Sequence, residues 1–442
     1  MDVTTPGQRR ASRRRPELPG GRDAGLLLSA RVLMSGQRAF IGVVVPIYLA
    51  RRGYSATELG ILFSVVALAA AAMSTFIGIA ADRVGRKPFL IYVPLLTAAS
   101  CVVFALTAQT VPLFIAAAVG SVGRGSGAGA AQVGPYQPAE QALMAGLVDD
   151  SRRPALFGLI ASASAAGGLL GSLLAATPLS SPLAGTHPSP GAYWPAFMAA
   201  ALLATLAAAL AVPVRQPPRA PRPGAGDKRP ADPHSAQTAD QPDRPPRLSP
   251  ASWRLVRRLW ATNTVNGVAV GLFGPFVTYW LYRRYGASAA EIGVLYTIGN
   301  VITIASSQLA SPLATRIGTV RTVVIARTLQ ALLLPVLALM PSFALAGVVY
   351  TMRLVAQRLG VALRQSFVMS AAPAAERARV GAFAQLPTQG AAALAPMLTG
   401  YLFTEVSLAL PFELAGALQL INAALFQHFF ATDDRPSAGE QP

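Results

Sequence analysis

The sequence has one cysteine, Cys101, so no disulfide closes within a chain and no thiolate cluster holds a metal. Histidine is nearly as scarce: His187, His234 and His428 lie far apart, and no metal site is expected. Charge is thin, at 13% of 442 residues, where a soluble protein of this length keeps more to wet its surface. Acid is the scarcer sign, with 19 Asp and Glu against 37 Lys and Arg. No phosphate-cradling P-loop occurs, so ATP is not the expected energy source. No H-E-x-x-H pair or clustered acid motif marks an enzyme, and no cofactor is expected.

What is present is apolar sequence, 53% of the chain, with a mean hydropathy of +0.46. A helix needs about 20 mostly apolar residues to cross a bilayer. Twelve candidate spans appear, at about 26–49, 57–81, 89–109, 112–145, 155–178, 193–213, 256–282, 289–314, 321–340, 343–371, 380–404 and 409–430. The fourth and tenth are long and carry Arg, Gly or Pro inside. Irregular backbone at that depth is tolerated where protein or a water-filled cavity satisfies it. The expectation is an all-α integral membrane protein of twelve transmembrane helices in two pseudo-symmetric six-helix bundles, with the lipid bilayer as its first partner.

The net charge of +18 raises nucleic acid as a partner, but the basic residues cluster in short segments between apolar stretches. That is the positive-inside pattern of a membrane protein. With both termini cytoplasmic, the outer loops hold only Arg51, Arg52, Arg283 and Arg284, and the loop 179–192 holds no basic residue. A basic tail, 1–24, leads into the first span with no evident cleavage site, so that span is read as uncleaved. Residues 214–252 are rich in Pro, Arg, Asp and Gly, and read as a disordered cytoplasmic linker. It separates a bundle at 25–213 from one at 253–430, and a polar tail follows at 431–442.

The halves repeat. Arg51–Leu62 resembles Arg283–Leu295 with one extra residue in the second copy. Continued without gaps from Glu58 and Glu291, Arg83 meets Arg316 and Gly85 meets Gly318, while Asp82 meets Thr315. The second copy keeps the turn and loses the acid.

Between the second and third spans, Gly78 to Lys87 read G-I-A-A-D-R-V-G-R-K. This fits G-x-x-x-D-R-x-G-R-K, the cytoplasmic loop signature of the major facilitator superfamily, and the chain resembles an efflux-type bacterial member. The resemblance implies a secondary transporter whose two bundles rock about a midplane site. It implies that Gly78, Asp82, Arg83, Gly85, Arg86 and Lys87 form a conformational switch. In it Gly78 lets helices approach, Gly85 permits the turn, and Asp82 meets the eleventh helix near Arg379–Val380 and the arginines Arg152 and Arg153. Gly167 to Ser172 keep the glycines of a fifth-helix drug-antiporter motif without its proline, and Gly167 and Gly171 make a small-residue packing face.

Charge inside a span is costly and faces a cavity or a partner. Arg38, Arg124, Arg353 and Arg358 lie in the first, fourth and tenth spans, and the resemblance places those spans, with the seventh, around the central cavity. Arg124 opens a small-residue run loosely similar to a fourth-helix motif linked in the family to proton coupling. These arginines either meet substrate or bond loose carbonyls. Arg31 and Arg364 lie near cytoplasmic ends, where snorkelling is expected. Gln37, Asn263, Asn266, Thr278 and Tyr279 either orient a ligand or make interhelical contacts. Glu140 is the candidate proton carrier, with an interfacial loop position as its alternative. Asp149 and Asp150 are expected to pair with Arg152 and Arg153. The functional expectation is proton-coupled export of a small organic compound, with uptake or exchange of an anionic metabolite as the alternative.

Overall fold

A computed structural model of the chain describes residues 21–123, 134–148, 152–177, 190–215, 248–306, 310–373 and 376–431. The described residues form fifteen α-helices with two 3₁₀ turns between them, and no strand. The first half holds α1 (Gly21–Arg51), α2 (Ala56–Val84), α3 (Lys87–Leu106), α4 (Thr110–Gly120), α5 (Gln137–Ala145), α6 (Arg153–Ala175) and α7 (Trp194–Ala211). The second holds α8 (Pro250–Phe273), α9 (Val277–Tyr285), α10 (Ala289–Ser306), α11 (Ala310–Ile317), α12 (Thr319–Leu339), α13 (Phe343–Ala371), α14 (Arg377–Glu405) and α15 (Leu410–Phe430). Taken as single spans, α4 with α5, α8 with α9 and α10 with α11 give twelve. Eight of the segments are long and apolar enough to cross a membrane by length and composition alone.

The two halves share a packing plan. In the first, α1 packs on α6 and α7, and α3 packs on α4 and α7. In the second, α8 packs on α14 and α15, and α12 packs on α13 and α15. Small residues set the closest approaches. A Cβ on Gly171 would strike the Gly36 carbonyl oxygen of α1, and one on Gly271 would meet the Ala392 Cα of α14 at 2.9 Å. Without a hydrophobic drive between helices in lipid, such close backbone contact is what holds spans together.

The repeat extends to individual hydrogen bonds. Ser55 caps α2, donating its N–H to Glu58 at 2.7 Å while its Oγ accepts from Glu58 N at 3.2 Å. Ser288 and Glu291 make the same two bonds at 2.7 and 3.2 Å. Gly85 ends α2 at φ 105°, and Gly318 precedes α12 at φ 91°. Only glycine takes that conformation without strain, which explains why both copies retain it.

Two expectations shift. Helix α1 begins at Gly21, inside the segment read as a basic tail. Helix α8 begins at Pro250, inside the segment read as linker, because Ser249 caps it and Glu376 accepts from Ser249 N at 3.1 Å and Ser249 Oγ at 3.0 Å. A bond from the Ser252 side chain, with those from Ser249, holds the Glu376 carboxyl below its ordinary range. Most of the linker, 216–247, lies outside the described residues, as do the final residues 432–442.

Candidate functional site

The halves meet through α2 against α14 and α6 against α10. The hydrogen bonds across this seam lie towards the side formed by the α1–α2 turn, opposite the side where α1 begins. Thr57 Oγ1 bonds Thr404 Oγ1 at 3.0 Å, Met397 N donates to Ser64 Oγ at 3.1 Å, and Asn300 Nδ2 donates to Ser172 Oγ at 3.2 Å. A Cβ on Gly60 would sit 2.5 Å from the Pro396 carbonyl oxygen, so the backbones touch there. Phe63 packs edge-on against Phe276 with centroids 5.3 Å apart. The seam is closed on this side.

A cavity of ≈ 240 Å³ lies further along, between α1, α2, α5 and α14. Arg38, Ser74, Gln137, Gln141 and Gln389 supply its polar groups, and Ala67, Ala70 and Ala71 its apolar wall. Arg38 is half-buried, with its guanidinium against the backbone of Gly134. Arg38 is thus the predicted cavity arginine that lines this space. Arg124 lies outside the described residues.

Beside the cavity, each half ties three helices together with buried polar groups. In the first half Arg31 of α1 is 2% exposed and Glu140 of α5 is 2% exposed. They form an ion pair at 2.5 Å, and Arg31 Nε donates to Ser164 Oγ of α6 at 2.6 Å. Arg31 corrects the sequence expectation, and Glu140 departs from its loop alternative. Arg31 does not snorkel, because α1 starts early enough to carry it almost three turns into the helix. Glu140 is not a loop acid, because α5 begins at Gln137 and turns the carboxylate inward.

The second half repeats the arrangement with different chemistry. Arg364 of α13 is buried and its Nη1 donates to Asn263 Oδ1 of α8. Asn263 Nδ2 donates to the Ala384 carbonyl of α14 at 2.5 Å. The helices are the counterparts of those joined in the first half. Arg364 was also expected to snorkel; contact with α8 buries it instead. Asn263 is therefore an interhelical tie, and so is Asn266, which accepts from Gln419 at 3.3 Å. Gln37 is buried among first-half helices, with Nε2 3.5 Å from Cys101 Sγ. Thr278 bonds Tyr296 at 2.9 Å.

Arg353 is 4% exposed, with its guanidinium 4.0 Å from the centre of the Phe273 ring and Nη2 3.4 Å from Gln357. A cation held on an aromatic face gains about 0.5–2 kcal/mol, which offsets part of its lost hydration. Arg358 is half-buried one turn further along α13.

Among the expected switch residues, Arg86 Nη1 donates to the Ala142 carbonyl of α5 at 2.8 Å, tying the loop to the helix that carries Glu140. A Cβ on Gly78 would meet nothing within 4 Å, so the expected close approach is absent in this conformation. The side chains of Asp82 and Arg153 lie outside the described residues, as do Asp149 and Asp150 entirely. Arg83 and Arg152 are exposed, and Lys87 opens α3. Among the described residues no cluster of three metal-ligating side chains occurs.

Two six-span halves packed in the same pattern around a polar cavity define the class: a transporter fold of the alternating-access kind. The sequence matches the Major Facilitator Superfamily model twice, over residues 27–262 and 259–442, and the chain belongs to that superfamily. No curated protein matches it. Among solved structures it is similar to the nucleoside transporter NupG, with TM-score 0.66 and 12% identity, over 92% of this chain and 99% of that one. It is similar to a D-xylose–proton symporter, with TM-score 0.66 and 16% identity, over 92% and 97%. A bacterial homologue of the human lysosomal transporter Spinster, inward-facing and occupied, matches with TM-score 0.69 and 15% identity, over 93% and 96%. At these identities the likeness shows the fold alone.

Proposed function

We propose that the chain is a proton-coupled secondary transporter that exports a small organic compound, with Glu140 as the proton-carrying group. The observation that carries this reading is the buried Arg31–Glu140 pair, which joins α1, α5 and α6 beside the cavity. Protonating Glu140 removes the charge that holds Arg31, and breaking such a buried pair is worth about 3–5 kcal/mol. That is enough to shift a two-state equilibrium by two or more orders of magnitude. The proton then biases how the first-half helices pack, and through them the seam with the second half. Export is the direction that fits the short, ligand-poor outer loops and the single-acid loop at Asp82. Both termini and the α2–α3 loop are then cytoplasmic, in a cell membrane, and the conformation here opens inward.

A second reading is exchange or uptake of an anionic metabolite, favoured by Arg38 in the cavity wall and by Arg353 and Arg358 on α13. The test uses inside-out vesicles and a panel of labelled cationic, neutral and anionic compounds. Export predicts accumulation when the lumen is acid, abolished by Glu140→Gln, while equilibrium exchange of the same compound persists. Equal accumulation with and without the gradient would overturn proton coupling. A requirement for a trans anion, with loss of affinity in Arg38→Gln, would select the second reading.

A further inference from the structure

Among the described residues, the second half has a surplus of buried cation that the first half lacks. Between residues 253 and 430 the only acids are Glu291, Glu376, Glu405 and Glu413. Glu291 caps α10 and Glu376 is tied to the start of α8, while Glu405 and Glu413 are exposed. None lies on α12 or α13. Yet α12 carries Arg327, 6% exposed, and α13 carries Arg364, 6% exposed.

These two arginines lie on helices packed against each other, α12 on α13. A Cβ on Gly360 would lie 3.8 Å from Arg327 Cγ, so the Arg327 stem crosses α13 one turn before Arg364. The Arg364 charge bears on the Arg327 guanidinium. Arg327 Nε and Nη1 and Arg364 Nε have no hydrogen-bond partner among the described residues. Arg364 has a neutral partner in Asn263, and Arg327 has the Phe426 ring with its centroid 5.8 Å away. Neither partner removes a charge. Phe367, Phe426 and Phe430 pack edge-on or tilted against one another beside the pair, with centroids 4.9–5.8 Å apart, and shield it. Two like charges in a dry site repel, and each unmet N–H keeps an uncompensated desolvation cost. Two forked guanidinium groups are the arrangement that recognises an oxyanion.

We infer that Arg327 and Arg364 bind one small inorganic oxyanion of sulfate or phosphate size, in the wedge between α12, α13 and α15 and apart from the cavity lined by Arg38. The anion supplies the counter-charge that no residue of these helices supplies. It holds α12 to α13, and through Arg364 it fixes Asn263 and the contact of α8 with α14. The site does not depend on Glu140 or on the direction of transport.

Equilibrium dialysis of labelled sulfate against the purified full chain in detergent tests this, with ionic strength held by bulky gluconate. The expected result is one saturable sulfate per chain, and a thermal midpoint that rises with sulfate. Arg327→Gln and Arg364→Gln should each weaken binding at least tenfold. Arg283→Gln, which removes the same charge from an exposed position, should change it less than twofold. Should the glutamine variants fail to fold, Arg327→Lys keeps the charge, loses the fork, and should weaken binding several-fold. No saturable sulfate on the wild-type chain would overturn the site. So would full binding in folded Arg327→Gln, or loss of binding in Arg358→Gln alone, which would place the anion in the central cavity. A midpoint raised by phosphatidylglycerol but not by sulfate would overturn it in favour of a lipid headgroup.

Discussion

The two halves pack alike and are charged differently. Each joins its first, fourth and fifth spans through one buried arginine. In the first half that arginine, Arg31, meets a carboxylate, Glu140, and in the second half Arg364 meets an amide, Asn263. The two halves also repeat bond for bond at the capping pairs Ser55–Glu58 and Ser288–Glu291. A duplicated framework thus holds one node whose charge balances within the protein and one whose charge does not. A balanced pair can be opened by a single proton, whereas an unbalanced cation needs an anion or water. Under the proposed function and the inference above, that difference gives proton work to the first half and anion contact to the second.

Removing what the halves share should have the largest effect. Gly171→Leu and Gly271→Leu both drive a side chain into backbone of a partner helix. Each should exceed the about 1–3 kcal/mol usual for overpacking and should abolish folded protein in detergent. Retention of a monodisperse peak on size exclusion for either variant would break the claim that both halves close on these glycines.

The next test separates the nodes. Glu140→Ala leaves Arg31 buried without a counter-charge and should cost about 3–5 kcal/mol. Asn263→Ala removes a neutral acceptor and should cost about 1–3 kcal/mol. Thermal unfolding of the two variants should therefore show the larger loss in the first half. Equal losses would mean that Arg31 and Arg364 are solvated alike.

A smaller and conformational effect is expected at the seam. Gly60→Leu needs space that the Pro396 carbonyl now fills. It should favour the conformation in which α2 and α14 part on that side, by a few kcal/mol and without loss of fold. Cysteines placed at Thr57 and Thr404, in a chain lacking Cys101, should become more reactive from that side. Unchanged labelling would show that the seam yields elsewhere.

The smallest effect is common to both halves. Ser55→Ala and Ser288→Ala each remove a cap worth about 1 kcal/mol. The two midpoint shifts should match, because the bonds lost match in length. Unequal shifts would show that the repeat is one of sequence more than of energy.

The sequence made the repeat legible because it is written in local chemistry. A Ser-x-x-Glu cap and a glycine turn depend on residues a few positions apart, so aligning Glu58 with Glu291 also aligned Gly85 with Gly318. The span count was legible because the bilayer fixes helix length. The nodes were less so. Glu140 stands out in the sequence for its rarity, but its depth depends on where α5 begins. Hydropathy places Arg31 near an interface because it starts the first span at residue 26, while α1 starts at Gly21. Five residues are more than one helical turn, and that separates an interface from an interior. Arg327 and Arg364 carry no local signal at all. Their burial comes from α13 packing on α12 and from the reach of Arg364 to Asn263 on α8, which only tertiary packing sets.

The central claim is that the first-half node titrates and the second-half node does not. Infrared difference spectra of the purified protein, cycled between acid and neutral buffer, read this directly. The account predicts a protonated-carboxyl C=O band that appears on acidification, disappears in Glu140→Gln, and persists in Asn263→Ala. A band of full intensity in Glu140→Gln, or no band in the wild-type chain at any pH at which it stays folded, would contradict it.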